Sequence, residues 1–239
     1  MTIPSREFAT RLGQRTMAKF LNAAADVFSK HGYEGSTIRA IAKKAQVNLG
    51  TLNHYWGSKQ ELFRELFELR FRPLRREHLR RLRSVEAGIS TGVPPQAIDV
   101  LRSIVEPVFF VDTEAGLGNG ATRESRASRK RFHALYGRAL MDPSPQVISE
   151  MAKLFEEPIR LFISLMRRAC PDVSAAEIDW RVNCVIGAQV FAEVYSERGR
   201  RFFGDEADVD ETLAANWILH VLMNGLNAPP YRPSSDAKS

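Results

Sequence analysis

Apolar residues recur every three or four positions along most of this chain, which is the period of an amphipathic helix. In residues 14–31 they form one face, and Gly32 after them is the residue type that most often ends a helix. Residues 38–45 repeat the pattern over two turns, and Thr37 before them is suited to cap a helix N-terminus. The pattern predicts a longer helix followed by a short one.

A second short helix is predicted after a break at Gln46-Val47. Asn48 stands where a new helix needs a side-chain oxygen to accept from its free amide groups. Residues 49–55 then combine an inward apolar position with small or hydrogen-bonding groups. Gly50 costs so short a helix up to about 1 kcal/mol relative to alanine, so we interpret it as allowing a close approach. Two short helices with a polar outer face indicate a helix-turn-helix whose second helix reads the DNA major groove.

The rest of the chain is also predicted to be helical. Ser58 and Glu61 form a capping box that opens the next helix, and Pro73 is expected to kink or interrupt that helix. Residues 84–95 are rich in Gly, Ser, Thr and Pro and are predicted to form a loop. A helix is expected at 96–111, although its VFFV end is compatible with a strand. The later helices are expected at about 122–141, 146–169, 174–198 and 208–226.

The two short helices and the segment before them carry a multi-position sequence pattern. Its parts are AAADVFSKHGYEGST, ending at Thr37, and TIRAIAKKAQVNLGTLNHYWGSK, residues 37–59. Over residues 14–67 the chain thereby resembles the N-terminal helix-turn-helix of the TetR family of bacterial transcriptional regulators. Two positions depart from the family pattern, because Gln46 replaces the usual glycine of the turn and Asn53 replaces the usual aromatic residue. The remainder resembles the family only in length and helical character.

Periodicity and resemblance together predict an all-α fold: an N-terminal three-helix helix-turn-helix domain plus a larger C-terminal helical domain for ligand binding and dimerisation. Residues 1–13 are expected to form a flexible basic arm, and residues 14–60 the DNA-binding domain. Residues 61–228 are expected to form the effector-binding and dimerisation domain, and residues 229–239 a disordered tail.

The predicted partner is double-stranded DNA carrying a palindromic operator, and the resemblance implies which side chains contact it. The expected base-reading residues are Asn48, Thr51, Asn53 and His54, and Leu49 and the close-approach Gly50 are also predicted to belong to the DNA-binding set. The expected phosphate anchors are Thr37, Arg39, Tyr55 and Lys59.

Charge is distributed as a DNA-binding head would require. The net charge is +6, but residues 1–83 hold 17 Lys or Arg against 7 Asp or Glu, whereas the remainder holds 17 against 21. A basic head on a slightly acidic body favours nucleic-acid binding, because neutralising phosphates supplies most non-specific affinity. The arginine-rich tract 75–83 is either a second DNA contact or a solvated connector face, and we favour the connector.

Two groups of apolar residues in the C-terminal part are assigned roles beyond the core. The resemblance implies an effector pocket between the helices, for which the candidates are Phe109, Phe132, Tyr136, Phe155, Phe162 and Met166. The last two helices are apolar around most of their circumference, which predicts either a deeply buried core pair or, as we favour, a homodimer interface. Its predicted residues are Trp180, Cys184, Gly187, Ala188, Phe191, Trp217 and Val221.

Other functional classes find little support in the sequence. The five histidines show no metal-ligand spacing, no hydrolase motif occurs, and no cofactor or metal is predicted. Residues 116–121 fit the relaxed dinucleotide fingerprint G-x-G-x-x-A, but the second strand that this motif requires is missing. Two cysteines, no signal segment and no long apolar run lead us to expect a soluble, cytoplasmic chain without membrane contact.

The sequence therefore predicts a non-enzymatic, ligand-responsive DNA-binding regulator, most simply a repressor that releases its operator when a small, largely apolar effector binds. Two alternatives remain. A helix-turn-helix regulator controlled by a protein partner would expose an apolar patch on its body. An oxidoreductase using Gly116 to Ala121 would bind a dinucleotide and need no DNA.

Overall fold

A computed structural model describes residues 11–110, 126–188, 211–226 and 228–230 of the chain. All the regular secondary structure in these ranges is helical, which confirms the predicted all-α class. The helices are α1 (Arg11–Gly35), α2 (Ile38–Ala45), α3 (Leu49–Trp56), α4 (Lys59–Ser90), α5 (Ala97–Phe110), α6 (Arg126–Met141), α7 (Pro145–Ala169), α8 (residues 175–188) and α9 (Glu211–Leu226). Over the same ranges, none is both long enough and apolar enough to cross a bilayer.

The helices form two compact units. Unit 1 comprises residues 1–73 and 112–154, and unit 2 comprises residues 74–111 and 155–239. Helices α4 and α7 therefore contribute to both units. The predicted domain boundary at residue 60 follows motif similarity rather than packing, and it stays a prediction.

Unit 1 is built around a line of aromatic side chains. Phe28 of α1 lies with its ring centroid 5.2 Å from Phe63 and 5.5 Å from Phe67, both on α4. Phe71, one turn further along α4, contacts Phe132 of α6 at 5.9 Å. Each fully buried phenylalanine contributes roughly 1.5–3 kcal/mol by leaving water, so these contacts hold α1 against α4 and α6.

Unit 2 has an aliphatic core in which α5 packs against α9. The side chains that fill it are completely or almost completely buried: Val100, Leu101, Val105, Phe162, Leu165, Met166, Ile178, Val182, Leu219 and Leu226. Arg181 of α8 donates to the backbone carbonyls of Leu226 and Pro229, which satisfies carbonyl groups at the C-terminal end of α9.

Several predicted boundaries prove wrong. Pro73 lies inside α4 without ending it, and α4 continues to Ser90, so that only residues 91–96 form the loop predicted at 84–95. The buried residues Leu74, Leu79 and Leu82 explain this, because packing of a helical apolar face outweighs a proline and local composition. α1 begins at Arg11, inside the predicted arm 1–13. The helix expected at 96–111 is observed as α5, which is helical to Phe110, the last described residue of this segment.

Candidate DNA-binding site

Three local hydrogen bonds fix the start of α2 and the turn between α2 and α3. Thr37 has an extended backbone, and its Oγ1 accepts from the amide of Ala40 at 3.1 Å, which confirms it as the α2 cap. Val47 N donates to the carbonyl of Ala42 at 3.2 Å and closes α2. Asn48 Oδ1 accepts from the amide of Gly50 at 2.8 Å, so Asn48 caps α3 as predicted. The helix-turn-helix geometry therefore follows from residues at the turn itself.

Gln46 occupies the position where the family pattern has glycine, and its backbone shows why glycine is usual. With φ 56° and ψ 42° it is left-handed, and it is the sole non-glycine residue with positive φ in the described part of the chain. A side chain is strained there, because its Cβ approaches the following carbonyl oxygen.

Gln46→Gly is expected to raise the free energy of unfolding by about 0.5 kcal/mol, because relief of left-handed strain exceeds the added flexibility of the unfolded chain. Chemical denaturation at fixed protein concentration measures the change. Gln46→Ala is the control: it keeps the Cβ and should show no gain. Equal stability of the glycine variant and the unaltered protein would mean that the turn carries no strain.

Buried contacts hold α2 and α3 in place. Ile41, Ala42 and Ala45 are buried on the inner face of α2, which packs against α1. Trp56 at the end of α3 is 3 % exposed; its indole N–H donates to Glu65 at 2.6 Å and its ring meets Phe20 edge-on. Sequence reasoning assigned no role to Trp56, although its place in the motif offered that signal. Because their inner faces are packed in this way, α2 and α3 keep a fixed orientation, and their opposite faces remain exposed to solvent.

The predicted DNA-contacting residues lie on or beside this outer face where the structure describes them. Side chains of Thr37, Arg39 and Asn48 are exposed, as is Gly50, while Leu49, Tyr55 and Lys59 are partly exposed. The side chains of Thr51, Asn53 and His54 lie outside the described residues, and their backbone belongs to α3.

Exposed cations on α2 enlarge the candidate surface beyond the predicted set. Lys43 is exposed one turn after Arg39, and residues four apart share one face of a helix. Lys44 forms an ion pair with Asp26 of α1 at 3.2 Å, so its charge is partly committed to joining the two helices. Lys43 was missed because the motif does not single it out. Its only sequence signal is the spacing from Arg39.

Lys59, a predicted phosphate anchor, has a defined environment that the sequence did not indicate. Its Nζ donates to the carbonyl of Tyr33 at 2.9 Å and lies 4.0 Å from the centroid of the Tyr33 ring. The helix that it opens is capped by Ser58, whose Oγ accepts from Glu61 N at 3.2 Å. A lysine held in this way keeps two N–H donors for other acceptors.

Four of the five arginines in the tract 75–83 of α4 are paired with carboxylates. Arg75 and Arg83 both donate to Glu157, and Arg80 and Arg81 both donate to Glu77. The pKa of Glu77 is lowered to about 2, most strongly by the hydrogen bond from Arg80 and further by the hydrogen bond from Arg81 and the charges of both arginines, against burial, which acts to raise it. Because these carboxylates offset part of the local positive charge, the arrangement favours the connector interpretation over a second DNA contact.

The predicted pocket residues are buried but divided between the units. Phe132 and Tyr136 stack in unit 1 with their ring planes 6° apart, whereas the other four belong to unit 2: Phe109, Phe155, Phe162 and Met166. A cavity of about 350 Å³ in unit 1 is lined instead by Ser58, Gln60, Glu61, Arg64, Glu150 and Lys153. The assignment of the six residues to an effector pocket stays a prediction.

The predicted interface residues are largely exposed within the single chain. Trp180 is 73 % exposed, Trp217 54 % and Val221 68 %. Cys184, Gly187 and Ala188 are exposed on α8 as well, and Phe191 lies outside the described residues. Exposure of these side chains disfavours the alternative in which α8 and α9 are core helices buried on all sides.

The fold and this surface define a class of protein: an all-helical chain whose N-terminal helix-turn-helix is built to bind DNA. Comparison with known proteins supports the class. The family model described as "Bacterial regulatory proteins, tetR family" matches residues 20–66, and "Tetracyclin repressor-like, C-terminal domain" matches residues 121–225.

Individual relatives agree with these family matches. The HTH-type transcriptional regulator UidR of Escherichia coli (strain K12) is 36 % identical over 53 residues, which cover 22 % of this chain and 27 % of UidR. The match thus spans about a quarter of that relative. A TetR-family regulator from Bordetella parapertussis 12822 has a similar fold, with TM-score 0.57, 17 % identity, and coverage of 87 % of this chain and 94 % of that one. FadR from Bacillus subtilis, solved in complex with stearoyl-CoA, has a TM-score of 0.51 and 15 % identity. That match covers 87 % of this chain and 97 % of FadR.

The chain belongs to the TetR family of bacterial transcriptional regulators. That family consists of DNA-binding transcriptional regulators and is non-enzymatic, so the oxidoreductase alternative is set aside. The glycine-rich residues 116–121 on which that alternative depended lie outside the described residues.

Proposed function

We propose that this protein is a homodimeric repressor that binds a palindromic operator and releases it when a small, largely apolar effector binds. The observation that carries the proposal is the pair of exposed apolar faces on α8 and α9, in a chain that also has a helix-turn-helix with a polar outer face. A monomer would leave both apolar faces in water. A two-fold dimer covers them and supplies two reading helices.

The apolar face of α8 contains Trp180, Cys184, Gly187 and Ala188, and the apolar face of α9 contains Leu213, Trp217 and Val221. On α9 the three positions are four residues apart, and on α8 Cys184 follows Trp180 by four residues while Gly187 and Ala188 follow Cys184 by three and four, so that each set lies on one side of its helix. The opposite sides hold buried residues such as Val182 and Leu219. Each helix is therefore apolar on two sides, and a second copy of the chain is the partner that covers the outer one.

DNA recognition in this proposal divides between two groups of residues. Asn48 and the side chains of α3 read base edges in the major groove, while Arg39, Lys43, Lys59 and Tyr55 contact phosphates. Two copies of α3 related by a two-fold axis would reach half-sites one helical turn apart. The exposed positions of Asn48, Arg39 and Lys43 support this assignment.

The effector is proposed to be mostly apolar because the buried side chains of the C-terminal helices are mainly aromatic and aliphatic. FadR from Bacillus subtilis, which has a similar fold, is known in complex with stearoyl-CoA, and this supports an effector with a large apolar part. An effector lowers DNA affinity only by binding more tightly to the conformation that does not bind DNA, and DNA must weaken effector binding by the same factor.

The test is selection of bound sequences from random duplexes by the purified full-length protein at moderate salt. A two-fold palindrome with half-sites about one helical turn apart is the expected result. Sedimentation of the same protein should show a dimer. A dimer that recovers no consensus would contradict operator binding, and a monomer that captures a different protein on its apolar faces would favour the partner-controlled alternative.

Asn48→Ser is expected to relax the base preference at one position of each half-site, because a shorter hydroxyl keeps the α3 cap but loses the amide that reads a base. The preferred base at that position should lose about 1–3 kcal/mol of discrimination. Repeating the duplex selection with the variant measures the effect, and Lys43→Ala serves as a control that should weaken all sequences equally. An unchanged consensus would remove Asn48 from the base-reading set.

A further inference from the structure

Asp142, directly after α6, is a buried carboxylate whose oxygens are committed to specific partners. Its side chain is 2 % exposed; Oδ2 accepts from the backbone N–H of Tyr33 at 2.9 Å, and Oδ1 accepts from Ser144 N at 3.0 Å. Arg138 Nε lies 3.6 Å from Oδ2. Burial acts to raise the pKa of Asp142, but these hydrogen bonds and the charge of Arg138 outweigh it and hold the pKa below its usual value.

The partner of Asp142 exists because α1 breaks at Gly32. With φ 69° and ψ −176°, Gly32 leaves the helical conformation, so that the amide of Tyr33 points to Oδ2 of Asp142 instead of an α1 carbonyl. A Cβ on Gly32 would lie 2.1 Å from Arg138 Nη2 and 2.7 Å from Asp142 Oδ2. Both the backbone conformation and the close approach therefore require glycine here.

Tyr33 connects this carboxylate to Lys59. Its carbonyl accepts from Lys59 Nζ, its ring lies beneath the same ammonium group, and it also meets Phe63 edge-on at 5.1 Å. The backbone of Tyr33 thus donates a hydrogen bond to Asp142 through its N–H and accepts one from Lys59 through its carbonyl. Tyr33 and Lys59 fall within the stretch matched by the N-terminal family model, whereas Asp142 falls within the stretch matched by the C-terminal one.

We propose that Asp142 is a positioning residue for DNA binding: it fixes Tyr33, and through Tyr33 it holds the ammonium group of Lys59 at the N-terminus of α4. The inference rests on the proposed function, in which Lys59 contacts an operator phosphate. Holding a flexible lysine in place before binding reduces the conformational entropy lost on contact. The two N–H donors of Lys59 that Tyr33 does not use remain for phosphate oxygens.

Asp142→Asn is the discriminating variant. The asparagine side chain has two orientations. In one, its oxygen still accepts from Ser144 N, but its NH₂ group faces the N–H of Tyr33 and cannot accept from it. In the other, its oxygen accepts from Tyr33 N and the hydrogen bond from Ser144 N is lost. Affinity for the selected operator should fall about five- to ten-fold, which corresponds to one weakened charge-assisted contact. The slope of log affinity against log salt should decrease by about one, as it should in Lys59→Met. Added to Lys59→Met, Asp142→Asn should cause no further loss.

Ala139→Gly provides the matched control, because it destabilises buried α6 near the same joint without touching the polar contacts. It should leave the salt slope unchanged. An unaltered slope in Asp142→Asn, or full additivity with Lys59→Met, overturns the proposal.

Acetylation of Lys59 in the DNA-free protein, followed by mass spectrometry, tests the contact without an operator. The rate should rise several-fold in Asp142→Asn, and an unchanged rate also overturns the proposal. Failure of the unaltered protein to select any consensus would instead contradict the proposed function and the DNA-binding role with it. The labelling result would still decide whether Asp142 holds Lys59.

Discussion

Gly187→Asp is expected to convert the proposed dimer to monomers and to weaken binding to the proposed operator at least a hundred-fold, because the two reading helices would no longer be held together. Gly187 is exposed on α8, and a Cβ added to it would meet no described atom within 4 Å of its own chain. Aspartate is also no worse than glycine within a helix. The single chain should therefore keep its fold, and the effect would come from a charge placed in the intermolecular contact.

Sedimentation velocity and circular dichroism on the same sample separate dissociation from unfolding. Gly187→Ala is the control: it adds the same Cβ without charge, favours the helix by up to about 1 kcal/mol, and should remain dimeric. A Gly187→Asp protein that sediments as a dimer would move the interface away from α8. Dimerisation would then have to cover Trp217 and Val221 on α9 alone.

The local parts of the DNA-binding site were predictable because their causes are close in sequence. Thr37 and Asn48 cap their helices through residues two or three positions away, and Gly32 breaks α1 where the pattern ends. The exposed apolar face of α9 was predictable for a related reason. A helix with apolar residues on more than one side must find more than one partner, whatever the arrangement of the other helices.

The contacts that the sequence did not reveal join residues that are far apart along the chain. Asp142 is 109 residues from Tyr33, and Lys59 is 26 residues from it. No periodicity or capping rule relates such positions. The prediction for Pro73 failed for a different reason. Proline disfavours a helix interior, but packing of the apolar face keeps α4 helical across Pro73. The sequence therefore identifies the helix-turn-helix but gives no indication of how Tyr33 connects it to the loop after α6.

Lowering the pH from 7 to 5 is expected to reduce the free energy of unfolding by about 2 kcal/mol through His78 alone. His78 is 3 % exposed beside Phe155, and its Nε2 has no hydrogen-bond partner among the described residues. Burial lowers its pKa from 6.5 to about 3, against a hydrogen bond to the backbone of Ile104 that acts to raise it. Between these values the unfolded chain binds one proton more than the folded chain. The stabilisation is thus complete above pH 6.5 and is lost as the pH falls toward 3.

The window from pH 7 to 5 isolates His78 from the carboxylates, since the lowered pKa values of Glu77 and Asp142 affect stability only below about pH 5. Chemical denaturation at fixed protein concentration should show the decline in the unaltered protein and in His31→Gln, an exposed control. His78→Leu should abolish most of it and have a similar stability at pH 7, because removal of the unpartnered buried nitrogen offsets loss of the hydrogen bond to the backbone of Ile104. If the free energy of unfolding declined equally with pH in His78→Leu and in the unaltered protein, the pKa of His78 would be the same in the folded and unfolded chain. Its ring would then have to reach solvent or an acceptor in the native protein.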